Sequence, residues 1–186
     1  VLDLGCGNGN LINYDKEDQT LNIDDSETLF IFHGLFGRGR NWQTFSKILT
    51  KNEDIIVITV DLRNHGGNEF QKNHSYLLMM NDVIELFNHL NIKKTNILGH
   101  SMGGKLAMLL TLNQPQYVNK LIVADIAPVD YPVEQNSIVE SLLSLDLDLI
   151  TSRNHADELL TNSIKEKFIR TFLIQNLELH DNKYRW

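Results

Sequence analysis

One cysteine, three prolines and no long apolar run set the first limits on this 186-residue chain. Cys6 alone cannot close an internal disulfide, so stability has to come from a packed core, and a reducing, cytoplasmic location is the simpler expectation. No apolar stretch approaches the ~18 residues that a membrane-spanning helix needs. Basic residues are scarce too: 17 Lys and Arg face 24 Asp and Glu, for a net charge of −7 with no basic cluster. That balance argues against nucleic acid and membrane as partners and leaves the oligomeric state open. The N-terminus lacks the basic and apolar regions of a signal peptide, and it begins with Val rather than Met, as expected of a fragment or fusion remnant. What remains, 42% hydrophobic and 22% charged, is the composition of a globular protein with length for one well-buried core.

The most informative stretch is Thr95-Asn96-Ile97-Leu98-Gly99-His100-Ser101-Met102-Gly103-Gly104. A short apolar strand signal runs into Gly-x-Ser-x-Gly, and a helix-forming run of Leu, Ala and Met follows at once. This is the pattern of a nucleophile elbow, a strand-to-helix turn so sharp that the serine sits in strained backbone geometry with its hydroxyl exposed. Around it, continuous apolar runs at Thr28–Phe32, Ile55–Val60, Ile97–Leu98 and Leu121–Asp125 read as buried strands. Helical spacing fills the gaps, with Trp42, Phe45, Ile48 and Leu49 in one segment and Met80, Val83, Ile84, Phe87 and Leu90 in the next. The elbow helix should stop near Asn113, before Pro115. Strands alternating with helices at this spacing specify an α/β fold with a mostly parallel sheet and helices on both faces. Past Pro132 helices are expected over Ile138–Leu145, Ala156–Leu160 and Ile164–Leu173, the last with Ser163 as N-cap, and a short hairpin over Leu177–Asn182. Residues 1–27 thus form an N-terminal segment, 28–132 the core, and 133–186 a helical cap region.

A serine hydroxyl attacks a carbonyl only if a base takes its proton, and the tetrahedral oxyanion needs backbone donors. Met102 supplies one N–H as the residue after the nucleophile. The loop His33-Gly34-Leu35-Phe36 should supply the other, from Leu35 foremost and Phe36 next. The orienting carboxylate belongs at the C-terminal end of a strand after the elbow, which selects Asp125, with Asp130 as the local alternative. Asp61 also ends a strand but precedes the elbow, so it is expected to shape the turn that follows. His33 at a strand end and His100 inside the elbow are expected to be structural. No metal ligand set and no cofactor are expected.

Four segments, His33-Gly34-Leu35-Phe36-Gly37, Asp61-Leu62-Arg63-Asn64-His65-Gly66, Gly99-His100-Ser101-Met102-Gly103-Gly104-Lys105 and Asp125-Ile126-Ala127-Pro128-Val129-Asp130-Tyr131, occur in this order. Together they closely resemble the small α/β-hydrolase esterases of the YbfF type, which include acyl-CoA-hydrolysing bacterial enzymes. The resemblance covers residues 28 to 186. It implies an α/β-hydrolase fold, Ser101 as nucleophile, Asp125 as triad acid, oxyanion donors at Leu35 and Met102, and a small-molecule acyl ester or thioester substrate. Phe36 and Met102 of the core, with Ile138, Leu142 and Phe168 of the cap, would form an apolar acyl pocket, and Arg38 and Arg40 could meet a coenzyme A phosphate. Members of the family continue into two more strands and a helix that carry the catalytic histidine. After Asp125 this chain offers only His155, in a polar turn, and His180, in a short hairpin. The expectation is an incomplete hydrolase with last strands missing, inactive alone, with a non-catalytic binding remnant as the alternative. Val1-Leu2-Asp3-Leu4-Gly5-Cys6-Gly7-Asn8-Gly9 separately resembles the first motif of the S-adenosylmethionine-dependent methyltransferases. Such a loop needs a helix behind it, and Asn10 to Asp25 is short and polar; Asp24 and Asp25 lie at a plausible distance for the acidic residue, but the next strand belongs to the following motif. A methyltransferase fragment is therefore the weaker reading.

Overall fold

The computed structural model describes residues 4–6, 11–12, 28–131 and 136–186. The chain divides into two compact units, Val1–Pro128 and Val129–Trp186.

Among the described residues the first unit is built on a six-stranded sheet. Its strands are β1 (Leu4–Cys6), β2 (Leu11–Ile12), β3 (Thr28–Phe32), β4 (Ile56–Val60), β5 (Thr95–His100) and β6 (Val118–Ala124), in the spatial order β2-β1-β4-β3-β5-β6. The four strands from β4 to β6 are parallel, while β1 pairs antiparallel with both β4 and β2. The parallel register aligns Phe32 with Val60 and Gly99, and His100 with Ala124. All four motif segments therefore leave the sheet at one edge. Alternation along β3 separates two cores. Phe30 and Phe32, with Ile58, Val60 and Ile97, pack under α2 (Tyr76–His89) and α3 (Met102–Asn113). On the opposite face Leu29, Ile31, Val57 and Leu98 meet Trp42, Leu49 and Ile55, from α1 (Gln43–Asn52) and its flanks. Helix α2 starts at Ser75, whose hydroxyl accepts the Leu78 N–H at 3.2 Å. Helix α3 ends at Asn113, just ahead of Pro115 as expected.

Two expectations for this unit need correction. Phe45 and Ile48 of α1 are 40% and 59% exposed, because the inner face runs through Trp42, Ser46 and Leu49 at helical spacing. Ser46 can sit there because its hydroxyl donates to the Trp42 carbonyl at 2.9 Å. Strand β6 is half-exposed rather than buried, with Ile122 at 51%, and among the described residues it stands at one end of the strand order. At the N-terminus, β1 is followed by its antiparallel partner β2, and only residues 7–10 separate them. Four residues cannot supply the helix that a methyltransferase cofactor loop requires. The motif residues Val1–Asp3 and Gly7–Gly9, with Asp24 and Asp25, lie outside the described residues.

The second unit contains α4 (Asn136–Leu143), α5 (Arg153–Leu160) and α6 (Lys167–Ile174), then a hairpin of β7 (Glu178–His180) and β8 (Lys183–Arg185). The hairpin turn, Asp181 and Asn182, holds both residues at positive φ, the backbone a two-residue turn demands. Arg170, 6% exposed, ties α6 to α5: its Nε donates to Asp157 Oδ1 at 2.8 Å, and Nη1 donates to the Ile164 and Lys165 carbonyls at 2.9 Å. Ser163 does not cap α6. Its hydroxyl turns back to the Leu160 carbonyl, and Glu166 occupies the cap position without a side-chain bond. His155 lies in α5 rather than in a turn, because Ser152 caps that helix by accepting the His155 N–H at 3.0 Å. Among the described residues no helix is long and apolar enough to cross a membrane.

Candidate active site

Ser101 joins β5 to α3 with φ 51° and ψ −116°, a conformation that an L-residue holds only when its surroundings over-determine it. The surroundings do so from three sides. The Ser101 N–H donates to the Ala124 carbonyl at the end of β6 (3.0 Å), and the Gly103 N–H donates to the His33 carbonyl at the end of β3 (3.1 Å). The turn is so tight that a Cβ on Gly103 would strike the Phe32 carbonyl, and one on Gly99 would strike the Gly103 backbone. The elbow glycines are therefore a steric requirement, as their spacing suggested. The Ser101 hydroxyl has no hydrogen-bond partner among the described residues.

The loop after β3 lies directly against Ser101: a Cβ placed on Gly34 would come within 3.2 Å of the Ser101 Cβ. Two of its N–H groups are committed, that of Phe36 to His65 Nε2 (3.2 Å) and that of Gly37 to the Gly34 carbonyl (3.0 Å). The Leu35 N–H has no acceptor among the described residues, and neither does the Met102 N–H at the first turn of α3. These are the two donors expected for an oxyanion. Phe36, the second choice by sequence, has spent its N–H elsewhere. It sits at φ 61°, half-buried, and Met102 is buried.

Asp125 follows β6 immediately, at φ 55°, with its carboxylate 88% exposed. Its Oδ2 lies 3.7 Å from His100 Nε2. The His100 ring, in turn, meets the Trp42 indole edge to face at 5.9 Å between centroids. The structural role expected of His100 thus includes contact with the candidate acid, which alternation along a strand could not reveal. Asp130 is five residues further on, in the second unit.

Two histidines shape the loop. His33 is buried, with Nδ1 2.8 Å from the Gly34 carbonyl and Nε2 accepting the Leu62 N–H at 3.0 Å. A ring that accepts at Nε2 carries its proton on Nδ1. Burial holds its pKa at about 3, far below the ordinary 6.5, so it stays neutral. His65 repeats the arrangement, with Nδ1 2.8 Å from the Arg63 carbonyl and Nε2 facing the Phe36 N–H. Burial pushes its pKa down as well. His65 is the residue that reading the sequence missed. Its only signal was its place in the Asp61–Gly66 turn. Asp61 shapes that turn by accepting the Gly39 N–H at 2.6 Å and the Gly67 N–H at 3.0 Å.

In the second unit, Leu142 is buried and its carbonyl accepts the Trp186 indole N–H at 3.2 Å, Ile138 is half-exposed, and Phe168 is 74% exposed. His155 Nδ1 lies 3.2 Å from the Thr151 hydroxyl, and His180 Nε2 lies 3.3 Å from Glu178. Among the described residues no three His, Cys, Asp or Glu side chains converge to hold a metal ion.

Residues 27–178 match the α/β-hydrolase fold family. The sn-1-specific diacylglycerol lipase ABHD11 of Danio rerio is 35% identical over 168 residues, which are 87% of this chain and 53% of that protein. Ethanol acetyltransferase 1 of Eremothecium cymbalariae is 40% identical over 106 residues, 57% of this chain and 30% of its own. A marine microorganism esterase of known structure superposes with a TM-score of 0.80 at 37% identity, over 87% of this chain and 64% of its own. The chain spans about half the length of the lipases it matches. It belongs to the α/β-hydrolase fold family.

Proposed function

We propose that this α/β-hydrolase chain carries the nucleophile half of a serine esterase, in which Ser101 attacks a carboxylic ester or acyl thioester, expels the alcohol or thiol and keeps the acyl group on its oxygen as an acyl-enzyme. The observation that carries the reading is Ser101 itself, held at φ 51° with an unengaged hydroxyl beside two uncommitted N–H groups. As the carbonyl carbon becomes tetrahedral, its oxygen gains negative charge, and the uncommitted Leu35 and Met102 N–H groups would bind it. Asp125, at the edge of the same sheet, would orient the histidine base that such a reaction uses. Lipase and esterase relatives support an ester as the substrate class. The narrower kinship with YbfF-type acyl-CoA esterases rests on the four motifs. Water would complete the cycle, although an alcohol could take the acyl group instead.

The described residues bring no base to the Ser101 hydroxyl, so the decisive experiment supplies one. Free imidazole should raise p-nitrophenyl acetate hydrolysis by the wild-type chain well above that of S101A, which reports the background. Equal imidazole-stimulated rates in the two proteins would refute the nucleophile assignment. The open hydroxyl also favours a second reading, an acyl-ligand-binding protein without turnover. That reading gains if S101A binds an ester as tightly as wild type while neither turns it over.

A further inference from the structure

The geometry points to His65 as a positioning residue for the oxyanion loop: its Nε2 accepts the Phe36 N–H and holds the His33–Gly37 loop so that the Leu35 N–H stays uncommitted beside Ser101. The catalytic half of this inference rests on the esterase reading above; the structural half does not.

A phenylalanine at φ 61° is strained and needs external restraint. The bond to His65 at 3.2 Å supplies it from outside the loop, and the Gly37-to-Gly34 bond supplies it from within. His65 can accept only as the Nδ1–H tautomer, and the Arg63 carbonyl at 2.8 Å from Nδ1 selects that tautomer. Arg63 is anchored in turn by Asp82 on α2, with Nε and Nη2 donating to the two carboxylate oxygens at 2.7 and 2.6 Å. A continuous line of contacts thus runs from α2 through the Asp61–Gly66 turn to the loop beside the nucleophile. It accounts for the joint appearance of the His33-Gly34 and Arg63-Asn64-His65-Gly66 motifs in one chain.

A proton on Nε2 would turn the acceptor into a donor facing another donor, and the Phe36 bond would be lost. The groups around the ring bear on when this happens. His74, 6.1 Å away between ring centroids, disfavours a further positive charge, while the Arg63 carbonyl at Nδ1 and the Asp61 carboxylate favour it; His33, 5.1 Å away, is neutral. Burial outweighs Asp61, so the proton enters below the ordinary histidine value and the loop is intact at neutral pH.

The test compares wild type, H65Q and H65F. Glutamine can place an oxygen acceptor near the position of Nε2 and does not titrate, whereas phenylalanine keeps the ring and removes the acceptor. In the wild-type chain at pH 7.5, nitrogen-15 imidazole spectra should show the His65 proton on Nδ1, and the Phe36 amide should exchange slowly. Exchange at Phe36 should quicken at least tenfold in H65F and stay near wild type in H65Q. Imidazole-supported, Ser101-dependent kcat should fall about tenfold in H65F with little change in KM and recover in part in H65Q. The acid-side loss of kcat should be weaker in H65Q than in wild type. Equal Phe36 exchange in all three proteins, or a proton found on Nε2, overturns the inference. Turnover that survives S101A would sink the esterase reading alone, and the latch would still be decided by Phe36 exchange.

Discussion

Acid should unfold the first unit through His33, and the size of the effect follows from its burial. The ring is 1% exposed, and its pKa of about 3 in the fold compares with 6.5 in the unfolded chain. Because the folded value is depressed, the unfolded chain binds the proton first as pH falls. The stability that neutral His33 contributes is therefore complete above pH 6.5 and is lost progressively toward pH 3. Relative to pH 7, the two-state linkage relation gives a loss of about 1.2 kcal/mol at pH 5.5 and about 2.5 kcal/mol at pH 4.5. Carboxylates titrate over part of the same range, so the measurement has to be a difference. H33Q retains an acceptor for the Leu62 N–H but has no proton to bind. Urea unfolding of both proteins at pH 7, 5.5 and 4.5 should show H33Q less stable at pH 7. Its deficit should shrink by about 2.5 kcal/mol at pH 4.5. A deficit that stays constant within about 0.5 kcal/mol would refute the claim that His33 is buried as a neutral acceptor.

Three further outcomes are expected from the same geometry. S101G should relieve the backbone at φ 51° and stabilise the chain by about 1 kcal/mol in urea while removing every trace of imidazole-supported turnover. A loss of stability would mean that the elbow is not strained. G103A, whose methyl meets the Phe32 carbonyl, should cost about 3 kcal/mol or more, and a thermal midpoint near wild type would contradict that contact. R170A leaves Asp157 without its buried partner in the second unit and should cost about 3 kcal/mol, read by exchange protection of the α5 and α6 amides.

Much of this architecture was legible because its physics is local. The apolar runs of β3, β4 and β5 announced a buried parallel sheet, and Gly-x-Ser-x-Gly announced an elbow because only glycines fit where the backbones nearly touch. Other features depended on partners distant in sequence. The pattern of β6 is that of a buried strand, yet it is half-exposed, since among the described residues it has a strand on one side alone. Phe45 and Ile48 matched the helical period, but the sheet beneath α1 chose the neighbouring face. Ser163 has the chemistry of a cap and found a nearer carbonyl.

The candidate site divides in the same way. Sequence alone singled out the candidate nucleophile, the candidate acid and the loop opposite them, since each is marked by a local pattern: glycines around a serine, a carboxylate at a strand end, and a glycine in the loop that follows a strand. Only tertiary structure decided which loop N–H is left uncommitted. That choice turns on His65, 29 residues away, whose ring removes Phe36 from contention and leaves Leu35. Tertiary structure also set His100 against Asp125 and made His33 a neutral buried acceptor. A hydrogen bond or a pKa belongs to a pair of groups and their shared burial, and the parallel register of β3, β4, β5 and β6 creates those pairs at one edge of the sheet.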